Sequence, residues 1–267
     1  MLMQFDVPLE SRKTSWIKYV VIFTMFTEVI ICIYNLFTTK VDAEISHYFY
    51  GFSFQKQLGN VIVSSLLDIF QLIVISMPML SFSFFYIAVC SDVRSIIKYF
   101  KNFMLNKTIP KYKELFYNYY AIKSAADKID NTVGFLVFTT VIHNSCVMFF
   151  SVDGMVGSNM VQGYAIDYYW YLSNFVLFIV MTASAASVSE ASAEVASSAL
   201  ILPEEKGSSN WNQHRFITLV EKEITFTVWK LAPIRRNFIF GISGILFTYS
   251  LMIHSLSPVK SDSHFAT

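Results

Sequence analysis

The sequence predicts an all-α fold, a polytopic helical bundle in a membrane, and three observations predict it. Five long apolar stretches divide the 267 residues. Hydrophobic residues make up 54% and charged residues 15%, where a soluble domain would carry roughly 25% charged. The basic residues are also sorted: of 20 Lys and Arg, all but Lys40, Lys56 and Lys260 fall in alternate connecting segments.

The apolar stretches run from Trp16 to Phe37, Ser64 to Cys90, Val133 to Phe150, Ile166 to Val188 and Phe238 to Leu256. A hydrocarbon core about 30 Å thick takes roughly 20 residues at 1.5 Å each, so each stretch can cross or nearly cross. Each must be helical, because lipid offers backbone N–H and C=O groups no other partner. Pro78 near the middle of the second span removes one helical hydrogen bond and predicts a kink there. Cys32, Cys90 and Cys146 all lie in apolar spans, where they read as small packing residues and not as disulfide partners.

Arg12, Lys13 and Lys18 head the first span, eight basic residues from Arg94 to Lys128 separate the second from the third, and six from Lys206 to Arg236 separate the fourth from the fifth. The segment from Ser151 to Ala165 has none. The positive-inside rule therefore expects a cytoplasmic N-terminus, cytoplasmic basic loops and an external C-terminus. In this orientation the sequon Asn106-Lys107-Thr108 faces the cytoplasm and stays unglycosylated. A net charge of +1, distributed by membrane side, argues against a nucleic-acid partner.

The chain reads as a single membrane domain, 1–267, with two stretches of cytoplasmic anchor helix, about 92–132 and 212–235. In the first, Leu115, Tyr119, Ile122, Ala126, Ile129 and Val133 recur at three- and four-residue intervals, an amphipathic helix continuous with the third span. In the second, Phe216, Leu219, Val220, Glu223, Ile224 and Thr227 offer a comparable stripe, and the two are expected to pack together. The run 203–210, Pro-Glu-Glu-Lys-Gly-Ser-Ser-Asn, reads as a turn. From Met181 to Ala199 Ala and Ser dominate, which lets helices approach closely in lipid.

No nucleophile elbow, phosphate-binding loop, dinucleotide fingerprint or zinc spacing is present, so the sequence supports no enzyme, cofactor or metal. What carries functional weight is polar residues inside spans, which are costly in lipid: Glu28, Asp68, Gln71, His143, Asn144 and Asn174. Glu28 and His143 lie at similar depth in their helices. Asp68, Gln71 and Asn174 fall toward the outer halves, near Tyr168, Tyr169, Trp170 and Tyr171. A cavity of that character suits a small organic ligand; the same groups also serve as interhelical glue, at about 0.6 kcal/mol each and up to about 2.

The last span reads Gly241-Ile-Ser-Gly-Ile-Leu-Phe-Thr248-Tyr249-Ser-Leu-Met252-Ile-His254-Ser255-Leu256. It resembles the final helix of arthropod gustatory receptors, arachnid members above all, through Gly244 and the pair Thr248-Tyr249. The stretch from Glu223 to Ala232 and the amphipathic segment from Tyr112 to Gly134 resemble that family's approach to the final helix and its long inward loop. The resemblance covers roughly residues 60 to 257. It implies a seven-helix chemosensory receptor in the plasma membrane, a ligand-gated nonselective cation channel that assembles as a homo- or hetero-tetramer with related subunits. Its ligand would be a small-molecule tastant. The family's gate and polar ring fall on Met252, Ser255 and Leu256, with Ser255 in place of the usual Gln and Leu256 in place of Phe. Five spans against seven imply a chain shortened at its N-terminus. A G-protein-coupled receptor would need the opposite orientation; a non-signalling transporter or assembly partner would need no symmetric last helix.

Overall fold

The computed structural model describes residues 66–67, 69–106, 111–157, 161–203 and 210–256, together with Tyr19, Ile22, Phe26 and Ile30. Five helices account for nearly all of it: α1 (Met77–Leu105), α2 (Tyr112–Gly157), α3 (Val161–Ala199), α4 (Asn210–Glu221) and α5 (Arg236–Leu256). Two short strands, β1 (Thr227–Val228) and β2 (Ala232–Pro233), pair antiparallel between α4 and α5. The chain divides into two compact units, Met1–Phe85 and Tyr86–Thr267.

In the first unit, a π-helical turn over Leu72–Ser76 leads directly into α1. Pro78 explains its position. Its nitrogen has no hydrogen for the carbonyl four residues back and its ring crowds that carbonyl, so the helix widens by one residue per turn just ahead of it. The sequence predicts a kink near this proline; the structure answers with a change of winding. The first predicted span, 16–37, lies outside the described residues except for Tyr19, Ile22, Phe26 and Ile30, which are helical and exposed.

In the second unit α2 is continuous over 46 residues, about 69 Å at 1.5 Å per residue. The stripe read from the sequence is its buried edge: Leu115 and Tyr119 are fully buried and Ala126 nearly so. Phe100 of α1 and Phe216 of α4 close over it, with ring centroids 5.5 Å between Phe100 and Tyr119, 6.5 Å between Phe100 and Phe216 and 6.1 Å between Tyr112 and Phe216. Burying each such ring fully is worth about 1.5–3 kcal/mol. Farther along α2 the buried residues become Val137, Thr140, Asn144 and Ser151, while Phe135, Leu136, Ile142 and Phe150 turn outward. Val141 and Met148 are buried on the same face, so an apolar exterior covers a mixed interior in which small and polar residues let helices pack closely in lipid.

α3 lies along α2 with its Ala–Ser face inward: Ala185, Ala186, Val188, Ser189, Ala191 and Ser192 are buried. Most of its hydroxyls are satisfied within the helix, as in Thr182 to the Phe178 carbonyl (2.7 Å) and Ser189 to the Ala186 carbonyl (2.8 Å). Close packing therefore leaves no orphaned donor along this face.

The second anchor stripe needs correction. α4 ends at Glu221, so Glu223, Ile224 and Thr227 are not helical. The run Ile224-Thr225-Phe226-Thr227-Val228 is β-branched and aromatic, and it buries Ile224, Phe226 and Val228 with period two, the signature of a strand. Only Phe216, Leu219 and Val220 belong to the helix.

Candidate functional site

Among the described residues, three helices are long and apolar enough to cross a membrane: Ile69–Leu105, Tyr112–Val152 and Tyr168–Ala199. α5 adds 21 residues, about 31 Å at 1.5 Å each, which matches a hydrocarbon core.

α5 is unlike the others in how little of it the chain covers, since none of its side chains that the structure describes is buried. Phe238, Ile239, Ile242, Ser243 and Leu246 are half-buried and form the side turned to the chain, where the Phe238 ring approaches that of Phe178 on α3 (6.4 Å). At 100° per residue, Gly241, Gly244, Thr248, Met252 and Ser255 fall together on the opposite side, and all five are exposed. A Cβ added at Gly241 or Gly244 would meet nothing within 4 Å. Thr248 donates to the Gly244 carbonyl (2.8 Å) and Ser255 to the Met252 carbonyl (2.8 Å), so both hydroxyls are satisfied within the helix and keep their lone pairs outward. Met252 and Ser255 thus share a face, as the sequence predicts; the side chain of Leu256 lies outside the described residues.

The root of α5 is held by charge and by a hairpin. The Arg236 guanidinium donates to Glu190 of α3 (2.9 Å) and that of Arg235 to Glu223 (3.1 Å). Just upstream, Trp229 and Lys230 both adopt left-handed backbone, φ 47° and 60°, inside a turn closed by the Leu231 N–H on the Val228 carbonyl (2.9 Å). Such turns belong to Asn and Gly, and each residue held this way costs on the order of 1–3 kcal/mol. Asp130 of α2, only 4% exposed, faces the hairpin. Its carboxylate accepts from the Thr227 N–H (2.7 Å), the Thr227 hydroxyl (2.8 Å) and the Lys230 ammonium (2.6 Å). The Trp229 ring lies against Phe135 and Phe138, at 5.6 and 5.1 Å.

A second junction lies deeper. The Ser192 hydroxyl of α3 accepts from the Ile224 N–H (2.9 Å) and shares a hydrogen bond with the Tyr119 hydroxyl (2.9 Å). Burial raises the Tyr119 pKa against the Ser192 contact, which lowers it. Lys123, one turn on, donates to the Lys222 carbonyl, and burial lowers its pKa. Ser192, Lys123, Asp130 and Glu190 escaped the sequence reading as contacts, and Tyr119 and Ile224 entered it only as stripe positions. The signal was there for Asp130: it stands four residues after Ala126 on the buried edge, and a carboxylate on a buried edge demands donors.

The predicted ligand residues that the structure describes lie on separate elements. Glu28 and Asp68 lie outside the described residues, and Gln71 is exposed in the first unit. His143 is half-buried and Asn144 buried on α2; the His143 Nδ1 and Asn144 Nδ2 have no partner among the described residues. Asn174, buried on α3, donates to the Trp170 carbonyl one turn back (2.9 Å), and Tyr169 and Trp170 are half-buried, with rings edge-to-face at 6.3 Å. An open groove of about 360 Å³ lies between α2 and α4, lined by Phe116, Trp211, His214, Arg215, Leu219 and Lys222 among others, and none of the predicted residues lines it.

No family model and no curated protein matches the sequence. Solved structures do. The insect olfactory receptor OR5 from Machilis hrabei aligns over 90% of this chain and 67% of its own, with a TM-score of 0.57 at 12% identity. The same receptor in complex with eugenol aligns over 92% and 68%, with a TM-score of 0.60 at 9% identity. This chain has the insect olfactory receptor fold. That fold and the long apolar helices make it a multi-pass membrane protein, all-α as the sequence predicts. The hairpin between α4 and α5 is what the sequence reading of this fold lacks.

Proposed function

We propose that the chain is a subunit of a chemosensory, ligand-gated, nonselective cation channel of the gustatory type, in which copies of α5 surround the ion path. One observation carries this reading: of the exposed residues Gly241, Gly244, Thr248, Met252 and Ser255 that share one side of α5, all but Met252 are small or hydroxylated, although the helix is apolar overall. Lipid gives little return at those four positions. They are satisfied by close helix approach through the glycines and by water or ions at the hydroxyls. The tetrameric arrangement implied by the gustatory resemblance supplies both, with Met252 and Leu256 as a hydrophobic constriction and Ser255 as the polar ring. OR5 binds eugenol in the aligned complex, and a small organic tastant is the corresponding ligand here. Such a ligand opens the pore only to the extent that it binds open and closed states differently. His143, Asn174, Tyr169 and Trp170 remain its candidate contacts, with Glu28, Asp68 and Gln71. The basic-residue pattern supports a plasma-membrane orientation with the N-terminus inside and the C-terminus outside.

The test is patch recording of cells expressing the chain in a cysteine-free background, with eugenol as the first probe beside the ligand-free current. Cysteines introduced singly at Thr248, Met252 and Ser255 should make the current sensitive to a water-soluble thiol reagent, and those at Ile239 and Ile242 should not. Equal insensitivity at all five positions would sink the pore assignment. An epitope at the C-terminus should be detected on intact cells, and Asn106 should carry no glycan.

A further inference from the structure

The connection between α4 and α5 adopts a conformation that its own residue types resist. Trp229 and Lys230 are consecutive non-glycine residues at positive φ, where the Cβ of an L-residue crowds the following carbonyl. Within the turn, the Leu231 N–H donates to the Val228 carbonyl (2.9 Å) and the Lys230 N–H to the Thr227 hydroxyl (3.1 Å). Further compensation comes from another element. Both oxygens of Asp130 are committed to the hairpin, and the carboxylate is nearly sealed from solvent. The strand pairing is arranged around it: Thr227 stands opposite Pro233, which has no N–H, and the Thr227 N–H points away from the pairing to Asp130. The Ile234 N–H closes on the Phe226 carbonyl (2.9 Å), and α5 begins two residues later.

We infer that Asp130 is a positioning residue: from α2 it holds the Trp229-Lys230 turn in a conformation the turn would otherwise leave, and through the hairpin it sets the direction in which α5 departs. The hairpin is therefore an element with two arrangements. While the carboxylate sits against Thr227 and Lys230, the turn stays left-handed and α5 keeps its course. If α2 shifts or rotates, the donors are lost together, the turn relaxes and the root of α5 is redirected, restrained by the Arg235–Glu223 and Arg236–Glu190 pairs and by the Phe238 ring against Phe178. A bistable element coupled to two helices is what transmits a small displacement as a discrete one. The clamp is a property of the fold; its consequence for current rests on the channel reading above.

The clamp is tested on the full chain, reconstituted in nanodiscs in a cysteine-free background, with spin labels at the exposed positions Tyr120 and Phe240. Pulsed electron paramagnetic resonance reads the distance between α2 and α5. Asp130→Asn should displace and broaden the distribution. Thr227→Val, which removes the hydroxyl that donates to Asp130 and accepts from the Lys230 N–H but keeps the backbone donor, should do so to a smaller degree and gives a reading even where Asp130→Asn fails to fold. The diagnostic variant is Trp229→Asn with Lys230→Gly, residues at ease with positive φ. It removes the Lys230 ammonium from Asp130 and the Trp229 ring from Phe135 and Phe138 as well as the strain, so it is read as a background: Asp130→Asn should shift the distribution less in the Asn-Gly turn than in the parent turn. A merely structural carboxylate would shift both alike. The inference is overturned if the clamp variants keep the parent distribution, or if Asp130→Asn shifts it equally in both backgrounds. In patch recordings the ligand-free open probability should change about 5-fold or more in Asp130→Asn, as for an allosteric coupling of ordinary size, and by less in the Asn-Gly background. A distance shift in a chain that never conducts would refute the channel reading and leave the clamp standing; normal current with no distance shift would refute the clamp.

Discussion

One helix, α2, meets two different solvents, and its two halves show how. From Tyr112 to Thr132 it is built as in water: Tyr112, Leu115 and Tyr119 are fully buried, and Lys113, Asp127, Lys128 and Asn131 are exposed. From Val133 to Val152 the outer face turns apolar, with Phe135, Ile142 and Phe150 exposed, and the inner face is mixed, with Val137, Val141 and Met148 buried beside Thr140, Asn144 and Ser151. The lower half is held by the hydrophobic effect. In the upper half lipid is as apolar as leucine, so that force vanishes between helices and close packing replaces it. Stability is therefore concentrated in the anchor, while the spans contribute shape.

This contrast sets the order of expected effects. Phe216→Ala, which removes the ring touching Phe100 and Tyr112, should cost about 3–5 kcal/mol and abolish a monodisperse peak in fluorescence-detected size exclusion; Phe150→Ala on the lipid side should leave the peak intact. If Phe150→Ala proves equally damaging, the division between the halves is wrong. Ile142→Lys, near mid-span, should cost about 2.5–3.5 kcal/mol of insertion free energy, whereas Tyr117→Lys, equally exposed but in the anchor, should insert normally in a glycosylation-reporter assay. Ser192→Ala leaves the Ile224 N–H buried without an acceptor, a loss of about 1–3 kcal/mol that thermal unfolding in detergent would register. Tyr119→Phe should cost less, because the serine hydroxyl can still serve Ile224.

The smallest effect belongs to the exposed pair of Lys101 and Glu194, 2.9 Å apart between α1 and α3. The Lys101 ammonium, donating to Glu194, holds that carboxyl below its ordinary value of 4.5. A depressed carboxyl stabilises the fold above that ordinary value and loses its contribution as pH falls through the lower, folded one. Because both groups are solvated the contribution is at most about 1 kcal/mol. Glu194→Gln should flatten the acid limb of the melting profile slightly and leave neutral pH unchanged.

The helices were legible because long amphipathic and apolar periodicities have few alternatives. Leu115, Tyr119, Ile122, Ala126 and Ile129 at three- and four-residue intervals specify α2, and burial of Leu115, Tyr119 and Ala126 bears that out. The hairpin was not legible because two periods overlap at Ile224: it continues the helical series of Phe216 and Val220 and also starts the alternating series with Phe226 and Val228. A β-branched run decides for the strand, and the helical stripe hid it. The turn itself defeats any rule based on local chemistry, since neither Trp229 nor Lys230 announces positive φ; what fixes it, Asp130, lies about a hundred residues away in sequence. Polar groups in spans were legible as costs and not as contacts. Asn174 meets its cost at the Trp170 carbonyl of its own helix, so composition alone could not say whether it faces a ligand.

The unbroken length of α2 has a mechanical corollary. A rod about 69 Å long in a hydrocarbon layer about 30 Å thick must carry more than half of itself beyond the oily slab. With no joint between the two portions, a twist applied among the tyrosines at one end reaches the phenylalanines at the other without being absorbed on the way. Whatever leans on the dry end therefore turns the wet end as well.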